Sequence, residues 1–154
     1  MTAIKRIGIL FGWIAGCICL SALCATAGQS DWLTDFDQAK KEAAEKKRPI
    51  LADFTGSDWC GWCIKLDQEV FSTKEFLDFA KKHLILFQAD FPSRKKLPAA
   101  TMKQNEELAQ TYGIEGFPTI VLLDAGGKVL ARTGYQSGGA KAYVEHLKEL
   151  LERR

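Results

Sequence analysis

The feature of this sequence that most restricts its fold is a pair of cysteines two residues apart, Cys60 and Cys63, which follows a short apolar segment and a turn. The chain has five cysteines, and the other three, Cys17, Cys19 and Cys24, fall in an apolar stretch near the N-terminus. If that stretch is an export signal, no third thiol competes with the pair. Cysteines at this spacing can alternate between dithiol and disulfide, so the sequence points to redox chemistry.

The N-terminus has the pattern of a signal peptide. Lys5 and Arg6 form a short positive region ahead of an uncharged apolar run, and residues 25–27 (Ala-Thr-Ala) give the small-x-small pattern that signal peptidase cleaves. We therefore predict a signal peptide over residues 1–27 and one domain over residues 28–154.

Two other interpretations of the leader remain open. Residues 14–17 (Ile-Ala-Gly-Cys) resemble a bacterial lipobox, which would place a lipid on Cys17, although residues 18–23 stay apolar where a polar tether is usual. The apolar run could also remain as an uncleaved membrane anchor. All three interpretations place the domain outside the cytoplasm, where disulfides persist. We expect export to a bacterial periplasm or cell surface.

The charge of the domain argues against one class of partner. Without Lys5 and Arg6 of the leader, 19 Lys and Arg side chains balance 19 Asp and Glu side chains. Nucleic-acid binding requires a basic surface, so we expect no nucleic-acid partner.

Apolar periodicity and chain breakers divide the domain into alternating helices and strands. The predicted helices cover 31–47, a segment from about residue 60, a segment that opens at 72–75, 102–112 and 139–153, and the predicted strands cover 50–55, 84–89, 119–123 and 129–133. The polar segment 92–100, with Arg94, Lys95 and Lys96, is predicted to be a surface loop. This order predicts an α/β domain with a central mixed sheet of about four strands and helices on both faces.

Several short motifs follow one another as they do in thioredoxins. They are Asp53-Phe54, Trp59-Cys60-Gly61-Trp62-Cys63, Tyr112-Gly113-Ile114, Gly116-Phe117-Pro118-Thr119 and Gly126-Gly127-Lys128. Over roughly Pro49 to Leu151 the chain resembles the thioredoxin family, and most of all its exported members, including the C-terminal domain of the transmembrane thiol reductant exporter. The resemblance implies a thioredoxin fold and thiol–disulfide exchange.

The sequence departs from thioredoxin at three places. Trp62 stands where thioredoxin has proline, so the reduction potential of thioredoxin does not carry over. One extra residue separates Asp53 from Cys60, and Phe117 stands where isoleucine is usual. These changes alter the turn before the cysteines and the groove beside them.

The exchange reaction assigns a different role to each cysteine. Only a thiolate attacks a disulfide, and Cys60 at the N-terminus of a helix is stabilised as a thiolate by free N–H groups and the helix dipole. We expect Cys60 to attack first and Cys63, one turn further and more buried, to resolve the mixed disulfide.

The residues around the pair are candidates for substrate binding. Trp59 and Trp62 would bracket the exposed sulfur and offer flat apolar faces, although either could be an ordinary packing residue. The resemblance implies that Pro118 is a cis-proline facing the cysteines, with backbone groups beside it that pair with an extended substrate. The candidate substrate-binding residues are Trp59, Gly61, Trp62, Phe117, Pro118 and Thr119.

Asp53 lies in an apolar strand, where a carboxylate is costly without a partner or a function. The resemblance implies a buried acid behind Cys63 that carries a proton during resolution, with a pKa raised by burial. The alternative is a structural ion pair with a lysine such as Lys65.

Zinc binding and a structural disulfide are the two interpretations of the cysteine pair that involve no catalysis. Zinc would need two more ligands, and His83 and His146 lack paired spacing. We expect His83 to cap a helix and His146 to lie on a solvated helix face. A bridge over two residues constrains little unfolded chain. We therefore predict no metal and no other cofactor.

The sequence thus predicts an exported, monomeric thiol–disulfide oxidoreductase acting on protein disulfides or thiols, with Cys60, Cys63 and Asp53 as catalytic residues. A reductase in an oxidising compartment needs electrons, which the resemblance suggests come from a membrane thiol-reductant transporter. One alternative is a disulfide oxidase or isomerase that uses the same pair. Another is a thioredoxin-fold module that holds peptides near Phe117 and Pro118 with little turnover.

Overall fold

The computed structural model describes residues 32–153. The predicted signal peptide and the lipidation alternative at Cys17 lie outside the described residues. The elements are β1 (Trp32–Leu33), α1 (Phe36–Lys46), β2 (Ile50–Thr55), α2 (Gly61–Leu66) with a π-helical turn (Asp67–Phe71), α3 (Lys74–His83), β3 (Ile85–Asp90), α4 (Ala99–Thr111), β4 (Thr119–Leu123), β5 (Val129–Thr133) and α5 (Gly139–Glu152). Within this part of the chain, no helix combines the length and apolarity needed to cross a bilayer.

The strands form one mixed sheet in the order β1-β3-β2-β4-β5. Strands β1, β3 and β2 are parallel, whereas β4 runs antiparallel to β2 and β5 antiparallel to β4. The predicted α/β architecture is confirmed, and the four predicted strands are all present.

Two predicted helix starts are wrong. Trp32–Leu33 was included in the first helix, but these residues pair with Leu86 and Phe87 as a fifth, edge strand. Helix α1 begins only at Phe36, where the side chain of Asp35 accepts a hydrogen bond from the backbone of Gln38 and caps the helix. Helix α4 begins at Ala99, inside the segment predicted to be a loop. A two-residue strand is too short to have a period, so the sequence could not reveal it.

The sheet separates two apolar layers, because successive side chains of a strand point to opposite faces. Leu51 and Ile120 belong to the layer covered by α2, the π-helical turn, α3 and α5. Ile50 and Val121 belong to the layer covered by α1 and α4. By the same alternation, Asp53 shares the face of Leu51, on the side of the sheet that carries α2.

Three loops lie next to one another at the end of the sheet where β2 and β3 finish and β4 begins. Strands β2 and β3 are parallel and end side by side at Thr55 and Asp90, while β4 begins opposite Phe54. The segments that follow β2 and β3 therefore lie beside the segment that precedes β4. These segments are residues 56–60, 91–98 and 112–118, and they carry Trp59, Cys60, Phe117 and Pro118 of the predicted site.

Substitution of Phe76, on α3, tests the packing of the layer that supports α2. Its side chain is fully buried and contacts the rings of Trp32 and Phe71. Phe76→Ala is expected to lower the free energy of unfolding by about 3–5 kcal/mol, because it leaves a cavity. Phe79→Ala, at a half-buried position of the same helix, is the matched control and should cost clearly less. Urea denaturation measures both, and equal losses would contradict this account of the core.

Candidate active site

Cys60 and Cys63 form a disulfide at the start of α2, with an S–S distance of 2.15 Å. Cys60 is the N-cap residue, and its Sγ accepts a hydrogen bond from the backbone N–H of Cys63 at 3.2 Å. When the disulfide is reduced, a hydrogen bond from this N–H would stabilise Cys60 as a thiolate. Both cysteines are largely buried, at 7% and 4% exposure. Gly61 between them is exposed, and space around its Cα is open.

Trp59 precedes Cys60, and its side chain lies toward the end of β3. Its indole N–H donates to the carbonyl oxygen of Phe91 at 2.8 Å, and its ring meets Phe117 edge-on with centroids 6.0 Å apart. The indole lies directly over Gly56, where a Cβ would come within 2.5 Å of Trp59 Cε2. Gly56 is therefore required for this orientation, whereas the sequence alone showed only a turn residue.

The segment before β4 lies next to this tryptophan. The peptide bond between Phe117 and Pro118 is cis, as the resemblance implied. Phe117 also stacks on Phe91 with centroids 5.0 Å apart. The hydroxyl of Thr119 donates to the carbonyl of Gly116 at 2.7 Å and so closes the turn.

Gly134, after β5, packs against the same segment. A Cβ at Gly134 would come within 3.3 Å of the Pro118 carbonyl oxygen, so a side chain there would crowd the proline. The carbonyl of Gly134 accepts a hydrogen bond from the hydroxyl of Tyr143 on α5 at 3.2 Å. Helix α5 thus fixes the strand end that faces Pro118.

The side chain of Trp62 lies on the opposite side of the cysteine pair from Trp59, toward the end of β5. The indole is 59% exposed, yet its ring centroid lies 5.1 Å from that of Tyr135. Lys65 Nζ lies 5.2 Å from the Trp62 centroid. The sequence indicated an exposed Trp62 but not its partner Tyr135.

A network of carboxylates ties the loop after β3 to the turn before Cys60. Asp58 accepts backbone hydrogen bonds from Ser93, Arg94 and Lys95 at 2.9, 2.8 and 3.2 Å. The bond from Ser93 above all lowers the pKa of the Asp58 carboxyl.

Asp90 also connects the turn before Cys60 with the loop after β3. Its carboxylate accepts bonds from the backbone and hydroxyl of Ser57 and pairs with Lys95 at 2.9 Å. The predicted surface loop is exposed, but its backbone is anchored to the site.

Asp53 is buried under α2, and burial raises the pKa of its carboxyl to about 7. A hydrogen bond from Gln88 opposes the shift, and the negative charges of Asp67 and Asp90 add to it. Within the described chain, Asp53 Oδ1 has no hydrogen-bond partner. Lys65 lies 3.8 Å from Glu69, so the alternative of an Asp53–Lys65 ion pair is wrong. A carboxyl that titrates near neutral pH can accept and return a proton there.

The two histidines belong to the packing of the domain. His83 is the last residue of α3 and stacks on Phe79 with ring centroids 4.8 Å apart, but the C-cap residue is Leu84, so the predicted cap is wrong by one residue. The prediction for His146 is wrong, because the ring is half-buried and hydrogen-bonds with the hydroxyl of Thr133 at 2.8 Å. Between residues 32 and 153, no three His, Cys, Asp or Glu side chains converge as metal ligands would.

Comparisons with known proteins agree with this geometry. The family model described as a thioredoxin-like domain matches residues 36–150. Disulfide bond reductase DsbH of Chlamydia pneumoniae is 40% identical over 119 residues, which cover 77% of this chain and 72% of that protein. A solved structure of a DsbH oxidoreductase has a TM-score of 0.75 at 40% identity, covering 80% of this chain and 85% of that one.

A longer protein matches at lower identity. Thiol:disulfide interchange protein DsbD of Campylobacter jejuni is 27% identical over 107 residues. The match covers 70% of this chain but only 17% of that protein. The chain is therefore similar to one part of a much larger relative.

The buried carboxyl of Asp53 predicts a specific pH dependence of stability in the oxidised protein. Its pKa in the folded state lies above the value near 3.9 of an unfolded aspartate, so the folded protein holds the proton more tightly. The contribution of Asp53 to stability is therefore greatest below about pH 4 and is lost as the pH rises through about 7, by up to about 4 kcal/mol. Asp53→Asn should remove this loss.

The measurement is the free energy of unfolding in urea from pH 4 to pH 8. The variant should gain stability relative to the native protein as the pH rises. Asp78→Asn is the control, because Asp78 is exposed and Lys74 lowers its pKa, so that side chain cannot produce a loss of this sign. A difference between native protein and Asp53→Asn that stays constant with pH would disprove the assignment.

Proposed function

This chain belongs to the thioredoxin-like family and is a thiol–disulfide oxidoreductase, and from this premise we propose that it is an exported enzyme that reduces disulfide bonds in proteins. The observation that supports the chemistry best is the Cys60 sulfur at the start of α2, facing the N–H of Cys63. The name of the relative that is 40% identical, a disulfide bond reductase, supports the direction. The signal-peptide pattern of the first 27 residues supports export.

The reaction proceeds in two exchange steps. The Cys60 thiolate attacks one sulfur of the client disulfide, so a Cys60–client bond forms and the second client sulfur leaves as a thiolate. Cys63 then attacks the Cys60 sulfur, which breaks the mixed disulfide and releases the other client thiolate. Two electrons have passed to the client, and the Cys60–Cys63 disulfide remains.

Asp53 serves the second step. Cys63 must lose a proton before it attacks, and it is buried on the side of the sheet where Asp53 also lies. A carboxylate with a pKa of about 7 is a suitable base at neutral pH and can pass the proton on to the departing thiolate. Asp53 is therefore a catalytic residue of resolution rather than of the first attack.

The client binds across the end of the sheet that carries the three loops. Trp59 and Trp62 offer exposed apolar faces on either side of Cys60. The backbone at Phe117 and Pro118 pairs with an extended client segment, and Gly61 and Thr119 border the same surface. Each turnover oxidises the enzyme, so a dithiol donor must regenerate it. We assign that role to a membrane thiol-reductant transporter.

Variants of the two cysteines should differ in whether they form covalent complexes with client proteins. Cys63→Ser removes the resolving thiol, so mixed disulfides between Cys60 and client proteins should accumulate. Cys60→Ser and the double variant should form none, because the attacking thiol is absent. Non-reducing gels and mass spectrometry of purified complexes measure the outcome. If Cys63→Ser binds clients without forming covalent adducts, the chain is a peptide-binding module.

The reduction potential of the Cys60–Cys63 couple tests the direction. For a reductase we expect equilibration with dithiothreitol or glutathione to give a value far below that of strong disulfide donors, and one near the thioredoxin figure of about −270 mV would support that direction. At that potential the enzyme gives electrons to disulfides of higher potential, which are the strained or exposed ones. A value near about −120 mV, where strong disulfide donors lie, would instead make the chain an oxidase.

A further inference from the structure

The exposed indole of Trp62 is held by residues from two other parts of the chain. Tyr135, in the connection between β5 and α5, places its ring 5.1 Å from the Trp62 ring at an angle of 46°. Lys65 Nζ lies 5.2 Å from the centroid of each of these two rings. Both contacts are of the favourable aromatic and cation–π kinds.

Tyr135 is itself fixed on its far side. Its hydroxyl donates to Glu69 Oε2 at 2.7 Å, and the other carboxylate oxygen of Glu69 lies 3.8 Å from Lys65 Nζ. The ring is thus oriented at both ends, by Trp62 at its face and by Glu69 at its hydroxyl. The preceding residue, Gly134, packs on the Pro118 carbonyl, so the backbone at this point is also constrained.

The two tryptophans are held on opposite sides of the cysteine pair. Trp59 leans on Phe91, which follows β3, whereas Trp62 leans on Tyr135, which follows β5. In the sheet, β3 and β5 lie on opposite sides of the central strands β2 and β4. The two indoles therefore flank the cysteine pair from the β3 side and the β5 side, and the surface between them is here called the groove.

We propose that Tyr135 is a positioning residue for client binding, which holds the Trp62 indole as a preformed wall of this groove. An exposed indole without this support would lose rotamer freedom when a client binds, and that loss would weaken binding. With the wall already ordered, the groove receives the apolar side chain next to the cysteine of an extended protein client. This inference rests on the proposed function and adds a residue that selects protein clients over small disulfides.

The kinetic test compares Tyr135→Ala with Tyr135→Phe in the full chain, using insulin and hydroxyethyl disulfide as substrates. Tyr135→Ala should raise KM for insulin about three- to tenfold, since a lost aromatic pair has that effect on binding. The rate with hydroxyethyl disulfide and the reduction potential should stay unchanged. Tyr135→Phe keeps the ring against Trp62 and loses only the hydroxyl bond to Glu69, so its KM for insulin should lie closer to the native value than that of Tyr135→Ala. Val129→Ala, an exposed change at the other end of β5, is the control.

A second measurement observes the wall directly and does not depend on activity. In protein labelled with 5-fluorotryptophan, the ¹⁹F resonance of Trp62 is assigned through Trp62→Phe. Tyr135→Ala should shift and narrow that resonance and leave those of Trp32 and Trp59 in place. Tyr135→Phe, which loses only the bond to Glu69, should shift the Trp62 resonance less than Tyr135→Ala does.

The outcomes separate the two proposals. If the native protein reduces neither substrate, the proposed function fails, whatever the ¹⁹F spectrum shows. If the native protein reduces both and Tyr135→Ala changes neither KM for insulin nor the Trp62 resonance, the role of Tyr135 is disproved. An equal loss on both substrates with a shifted potential would also disprove it, because that pattern indicates a general structural defect.

Discussion

The site depends on one local arrangement, in which the chain leaves a buried central strand and immediately starts a helix at a cysteine. Strand β2 is hydrogen-bonded on both sides, so the point at which it ends is fixed. The turn that follows closes when the backbone N–H of Cys60 donates to the carbonyl of Gly56 at 2.9 Å. Cys60 then caps α2 with its own sulfur. The reactive atom is therefore positioned by the backbone rather than by a flexible side chain.

The same strand also carries a carboxyl whose burial lowers the stability of the folded protein at neutral pH. Asp53 is buried among apolar side chains, and its charged form is destabilised enough to raise its pKa to about 7. A neutral residue of similar shape would make the fold more stable at neutral pH, so its presence requires a functional explanation. Proton transfer to and from a buried Cys63 is such an explanation, because an exposed carboxylate would remain ionised and could not return the proton.

The sequence predicted the features that depend on neighbouring residues. Strand β2, the helix at Cys60 and the hairpin of β4 and β5 follow from short apolar runs and turn residues, and the structure contains all of them. The cis peptide at Pro118 came from the resemblance, since a cis bond leaves no local pattern. Contacts between distant residues could not be predicted. The hydrogen bonds of Asp58 with the loop after β3 and the half-buried ring of His146 are both of this kind.

The two tryptophans show how this fold can separate redox chemistry from client choice. The sulfur atoms are fixed by β2 and α2, whereas the two indoles are held by the backbone carbonyl of Phe91, which follows β3, and by the ring of Tyr135, which follows β5. In the proposed role of Tyr135, a change there alters the Trp62 side of the groove while the cysteines and Asp53 keep their surroundings. We therefore expect the potential of the couple and its preference among clients to vary independently. A chain with Trp62 between its cysteines then needs an aromatic partner such as Tyr135, because an unsupported indole beside the reactive sulfur would have to be ordered at every encounter with a client.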